Sequence, residues 1–141
     1  MPETTSKLFH RLRGRESGKA FLRQERTDPT CAQILQELLE QASMSVPEWI
    51  AAADISKSYA YQVLRGERTP GRDILLRTAL ALRLSLKETQ RLLAMGGCGA
   101  LYPKIRRDAA VIFALNQKMS LLETEDLLAS LPERSLYAWE S

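Results

Sequence analysis

The sequence predicts an all-α fold in which a helix-turn-helix unit is followed by a second αα-hairpin, and three observations carry that prediction. Apolar residues recur at helical spacing, serines stand at N-cap positions ahead of several periodic runs, and the stretch Arg72 to Ala94 returns at Arg107 to Ala129. With 141 residues, 45% of them hydrophobic and 26% charged, the chain holds one sizeable core under a soluble surface.

Residues 1–28 read as a basic, partly flexible N-terminal arm. Lys7, Arg11, Arg13, Arg15, Lys19, Arg23 and Arg26 crowd it, Leu8, Phe9, Leu12, Phe21 and Leu22 give only weak periodicity, and Gly14 and Gly18 interrupt a helix. Residues 29–95 read as the helix-turn-helix domain. After Asp28-Pro29, CAQILQELLEQA puts Ile34, Leu35, Leu38 and Leu39 on one face of a first helix. Ser45 caps VPEWIAAA, with Pro47 and Glu48 in its first turn and Trp49 in the core. Asp54-Ile55 breaks that helix, Ser56 caps the next, and KSYAYQVLR runs to Gly66, a C-terminal stop. Two short helices around a tight turn make the helix-turn-helix. The polar turn GERTPGRD then delivers the chain to RDILLRTALALR.

The repeat has a constant offset of 35, with Arg-Asp, Ala-Leu, Ser-Leu, Glu-Thr and Leu-Leu-Ala matching in both copies. Each copy is an αα-hairpin whose second helix opens on a capping box, Ser85 with Glu88 and Ser120 with Glu123. Residues 96–131 therefore form a C-terminal helical hairpin, the repeat of 72–94, and 132–141 a tail. In that tail Leu136, Tyr137 and Trp139 either fold back onto the hairpin or act as a docking peptide. Between the copies, MGGCGALYP lacks the Lys-Ser/Thr of a phosphate cradle and reads as a helix stop at Gly96 with a turn before Pro103. GRESGKA, from Gly14, is one residue short of a P-loop and has Ala20 where the hydroxyl belongs.

Catalytic chemistry has little to work with. His10 is the only histidine and lies in the charged arm, and Cys31 and Cys98 fit no metal spacing, so neither an enzyme, a metal nor a cofactor is expected. No apolar signal segment or membrane-length run is present in this sequence, and the expectation is a reduced, cytoplasmic protein with free thiols and no membrane partner. The net charge of +3 and pI near 9.0 permit nucleic acid as a partner. The charge is uneven, with the basic arm opposed by Glu123, Glu125, Asp126, Glu133 and Glu140 near the C-terminus.

In a helix-turn-helix the second helix enters the major groove and meets base edges with its first turn and outer face. Ala60 and Val63 share the inner face with Ile55, which turns Lys57, Ser58, Tyr61 and Gln62 outward as the base-reading candidates. Lys57 donates to guanine O6 and N7, Gln62 pairs bidentately with adenine, and Ser58 donates or accepts. Tyr61 suits a phosphate, a thymine methyl or a protein partner, while Tyr59 is expected half-buried against the first helix. Arg65, Arg68 and Arg72 follow where the chain skirts the duplex and are the phosphate candidates. For Arg72 an architectural role is equally open, pairing with Asp73 or capping a neighbouring helix, because Arg107-Asp108 repeats the dipeptide outside the reading element.

The segment MSVPEWIAAADISKSYAYQVLRGERTPGRDILLRTALALRLSLKET resembles the helix-turn-helix of the Cro-like phage repressors and the xenobiotic-response-element family of bacterial regulators. The resemblance rests on Met44, Ser45, Trp49, the turn Asp54-Ile55-Ser56, the run Arg65-Gly66-x-Arg68-x-Pro70, and Leu84-Ser85-Leu86 after the following helix. It covers about a third of the chain and departs from the family's usual residues at Val46-Pro47, Ile50, Asp54 and Leu64. It implies a repressor-like five-helix DNA-binding domain over about residues 30 to 95, with Lys57, Ser58 and Gln62 where the family reads bases. The function expected is a sequence-specific transcriptional regulator of double-stranded DNA, working as a homodimer. The alternative is a protein-interaction adaptor of a bacterial signalling system on the same scaffold, engaging its partner through Tyr61, the arm or the C-terminal hairpin.

Overall fold

The computed structural model describes residues 13–15, 19 and 29–137. Most of the basic arm, with His10, and the tail residues Trp139 and Glu140 therefore lie outside the described residues. Among the described residues the chain is all-helical, without a strand. Residues 29–137 form α1 (Cys31–Gln41), α2 (Val46–Ala53), α3 (Lys57–Leu64), α4 (Arg72–Ala81), α5 (Leu86–Met95), α6 (Arg106–Asn116) and α7 (Leu121–Ser130).

One corner is used three times. α1 turns into α2, α4 into α5 and α6 into α7 through Ser43, Arg83 and Lys118, whose φ values are 53°, 54° and 54°. In each, the amide three residues past the helix reaches back to a carbonyl of its last turns: Met44 to Leu39, Leu84 to Ala79 and Met119 to Ala114. A serine and a glutamate then close a capping box on the second helix, as Ser45–Glu48, Ser85–Glu88 and Ser120–Glu123. The left-handed residue closes the hydrogen bonds of one helix, and the box satisfies the first amides of the next.

The repeat also extends further than Ala94 and Ala129. Arg72 Nε and Nη2 donate to the Gly99 and Ala100 carbonyls, and Arg107 Nε and Nη2 donate to Arg134 and Ser135, 35 residues on. Gln90 accepts from the Leu101 amide, and Glu125 from the Leu136 amide. Each hairpin is thus followed by a segment that ends in a buried leucine, Leu101 at 4% and Leu136 at 0% exposure. Leu136 folds back into the core, and Tyr137 lies against Arg77 with the guanidinium carbon 4.3 Å from the ring centroid.

The two repeats are locked by reciprocal contacts. Arg72 makes a two-pronged ion pair with Asp108 (3.1 and 2.9 Å), and Arg107 the same with Asp73 (3.1 and 3.1 Å). At the far end, Lys118 Nζ donates to the Arg83 carbonyl at 2.9 Å and Arg83 Nη1 donates to the Lys118 carbonyl. This is the signature of an isologous interface, in which residue i meets j and j meets i, built here within one chain. Bidentate geometry and additional carbonyl partners are what make such partly buried pairs tolerable.

A single hydrophobic cluster runs from Ile34 in α1 to Leu136. α4 is its centre, packing on α2, α5, α6 and α7. Trp49, 1% exposed, anchors α2 to α4 through Nε1 and Thr78 Oγ1 at 3.1 Å, and Arg77 Nε donates to the Ala53 carbonyl at 3.1 Å. Buried tryptophan is stabilising only where its N–H finds an acceptor, and Thr78 supplies it.

Candidate functional site

α3 is only eight residues long and is held from several directions. Ser56 Oγ accepts the Tyr59 amide at its start, Ala60 (0% exposed) and Val63 (1%) insert into the core, and Gln36 Nε2 of α1 donates to the Leu64 carbonyl at 3.1 Å. Its end is closed by Gly66, φ 76°, whose amide reaches Val63 while the next amide returns to Gln62. That left-handed position is the one place in the segment where glycine is required. Before α3, Asp54 takes φ 55° in the turn; Asp is among the few side chains that accept the left-handed region at modest cost.

Lys57 and Ser58 occupy the first turn of α3 and are exposed, as the sequence pattern places them. Tyr61 and Gln62 differ from the outward expectation in being half-buried. Tyr59 is half-buried, with the Arg68 guanidinium 5.5 Å from its ring centroid.

The three arginines differ in their commitments. Arg68 is exposed and its contact is with the Tyr59 ring. Arg65 is exposed and forms a two-pronged pair with Glu67, both contacts 3.0 Å, and that hydrogen bonding holds the Glu67 carboxyl below the usual carboxylate range. Such an exposed pair is worth little and is exchangeable for another anion. Arg72 is committed to Asp108 and to two carbonyls, four hydrogen bonds in all from a group with five N–H donors. Its partner is neither Asp73 nor a helix end. Adjacent residues on a helix point about 100° apart, so the Arg-Asp dipeptide cannot pair with itself, and the second repeat provides the acceptor.

Beside the α2–α3 turn lies an open cleft of about 720 Å³, lined by Asp54, Ser56, Tyr59, Arg68, Arg77 and Arg134 among others. Arg77 and Arg134 were not singled out by sequence reasoning. Arg134 stands in the segment after α7, and only knowledge that the repeat extends to Leu136 would have brought it near α3. Burial pushes the Cys31 and Cys98 thiols upward, away from a reactive thiolate. Among the described residues no helix is long and apolar enough to cross a membrane, and no group of three His, Cys, Asp or Glu is placed to hold a metal. No protein family, curated protein or solved structure matches the chain.

Proposed function

We propose that the chain is a non-enzymatic, sequence-specific DNA-binding regulator of the cytoplasm. In this reading α1–α5 form a repressor-like helix-turn-helix domain, α3 enters the major groove, and two copies read a two-fold site. The observation that carries it is the first turn of α3, where Lys57 and Ser58 project from a short helix whose opposite face, Ala60 and Val63, is fixed in the core. A pre-positioned donor pair at a helix start is what base-edge recognition needs, since loosely held side chains give up affinity to ordering.

The partly exposed edges of Gln62 and Tyr61 complete the reading face, with Gln62 suited to adenine. Arg68, together with Arg65 once released from Glu67, meets phosphates on either side of the groove. Arg72 is removed from that set and becomes architectural. The basic arm adds to the electrostatic attraction through sequence-independent contacts.

Selection of duplexes from a random pool, comparing wild type with the Lys57→Ala/Gln62→Ala variant, tests this reading. A discrete motif that the double variant loses is the expected result. A folded wild-type protein that enriches no motif contradicts the reading and directs attention to a protein partner on Tyr61.

A further inference from the structure

The open cleft beside the α2–α3 turn, about 720 Å³, falls within the span of roughly 300–1,000 Å³ that small-molecule sites occupy. Of its arginines, duplex reading uses Arg68 alone. The lining is divided. Ile55, Tyr59 and Ile74, each half-buried, give it an apolar side. Four arginines, Arg68, Arg72, Arg77 and Arg134, give it a cationic one, set against the carboxylates of Asp54 and Asp73.

Two of those charges are matched from outside the cleft, Arg72 by Asp108 and Asp73 by Arg107. Arg77, 3% exposed, is fixed in the wall by the Ala53 and Leu136 carbonyls and by the Tyr137 ring. Arg68 and Arg134 are exposed, and among the described residues neither is ion-paired to a carboxylate. They reach the cleft from distant segments, one after α3 and one after α7. Arg107 Nε holds the Arg134 carbonyl at 2.8 Å, which fixes the root of that side chain and lowers the cost of ordering it on a ligand.

A guanidinium fork meets two oxygens of a phosphate at once. Arg68 lies 5.5 Å from the Tyr59 ring centroid, so a phosphate drawn to it brings an attached ring to the apolar side of the cleft. The backbone adds to the same field. Gly71 opens α4 with φ −71°, a conformation any residue adopts, gives no side-chain cap, and would bring an added Cβ within 4 Å of nothing. Its missing side chain leaves the start of α4 open to a ligand oxygen.

We propose that this cleft binds a mononucleotide or a phosphorylated ring compound of that kind, its phosphate on Arg134 and Arg68 and its ring beside Tyr59. The site stands independently of duplex reading. Where the chain also binds a duplex, Arg68 is shared, so ligand and duplex weaken each other by the same factor.

Isothermal titration calorimetry of the full chain without DNA is the experiment, with the four ribonucleoside monophosphates, their nucleosides and inorganic phosphate as probes. At least one monophosphate is expected to bind one to one, about tenfold or more tightly than its nucleoside and than inorganic phosphate. Arg134→Ala is expected to weaken that binding about tenfold or more, with thermal unfolding and duplex affinity unchanged. Gly71→Ser, which supplies a cap for α4, is expected to weaken the nucleotide while the melting temperature stays equal or rises. No binding of any monophosphate at millimolar concentration, phosphate binding as tightly as the nucleotides (an adventitious ion only), or nucleotide binding indifferent to Arg134→Ala overturns the proposal. A loss of duplex affinity in Arg134→Ala assigns the cleft to the DNA backbone and overturns it as well.

Discussion

Residues 72–102 and 107–137 share an interior and differ in what surrounds it. Corner, capping box, backbone hydrogen bonds and ion pairs superimpose at an offset of 35, down to the buried Thr89 and Thr124, each donating to its serine carbonyl at 2.8 Å. The outer faces diverge. The first repeat offers Arg77 and Thr78 to α2 and is buried by it, whereas in the second Ile112 is half-buried against the core and Phe113 stands 52% exposed. Duplication preserved what each hairpin needs to fold, and changed the face on which each meets its neighbours.

The comparison is broken most severely at Trp49. Trp49→Ala removes the anchor of the covered face and its hydrogen bond to Thr78, whose hydroxyl keeps the Ile74 carbonyl as acceptor, with an expected loss of about 3–5 kcal/mol in urea unfolding. The repeat-equivalent face is expected to respond differently, since Phe113→Ala should change monomer stability by no more than about 0.5 kcal/mol at low concentration. Equal losses at the two faces would refute the contrast.

Next come the reciprocal ion pairs. Asp108→Ala and Asp73→Ala each leave a guanidinium with 28% or less of its side chain exposed and without its carboxylate, at an expected cost of about 3 kcal/mol apiece. Glu67→Ala, which frees Arg65 at the exposed surface, is expected to cost less than about 1 kcal/mol by the same measurement. Only the former pair of substitutions should lower the denaturation midpoint appreciably.

A smaller effect concerns packing. Gly96 of the first repeat corresponds to Leu131 of the second, and Leu75 to Ala110, an exchange of large for small on both sides. A Cβ on Gly96 would lie 2.6 Å from Leu75 Cδ1 in the core. Gly96→Ala is expected to destabilise by about 1–3 kcal/mol. Combined with Leu75→Ala, it should cost less than the sum of the single changes, and strict additivity would show that the positions do not share space.

The mildest perturbation is acid. Hydrogen bonds from Ser45, side chain first and backbone second, hold the Glu48 carboxyl below its ordinary range, and those from Ser120, backbone first and side chain second, hold that of Glu123 down. A carboxyl whose pKa is depressed by folding stabilises above the unfolded value, about 4.3, and that contribution disappears as pH falls through the folded value. The melting temperature should therefore decline on acidification below that range. Glu48→Gln/Glu123→Gln should flatten part of the decline while keeping both boxes closed, as Gln33 closes the box of α1.

Much of the fold was legible because it rests on local signals. The caps at Ser45, Ser56, Ser85 and Ser120 and the core positions Ala60, Val63 and Trp49 stand where periodicity and capping chemistry put them. The third use of the corner also has a local signature: SMSVPE, RLSLKE and KMSLLE share an apolar residue, a serine and a glutamate in register, with proline present in the first. The commitment of Arg72 was not legible, because its acceptor is 36 residues away and the neighbouring Asp73 offered a misleading partner. The half-burial of Tyr61 and Gln62 depends on tertiary packing around α3, which no spacing rule contains.

That α3 and its flanking arginines meet a phosphate backbone is tested most directly by measuring duplex affinity over a series of salt concentrations, for wild type and for Arg68→Ala. The expected result is a linear fall of log K with log salt, and a slope reduced by about one in the variant, one phosphate contact having been lost. An affinity indifferent to salt, or a slope unchanged by the substitution, would contradict the placement of Arg68 at the DNA.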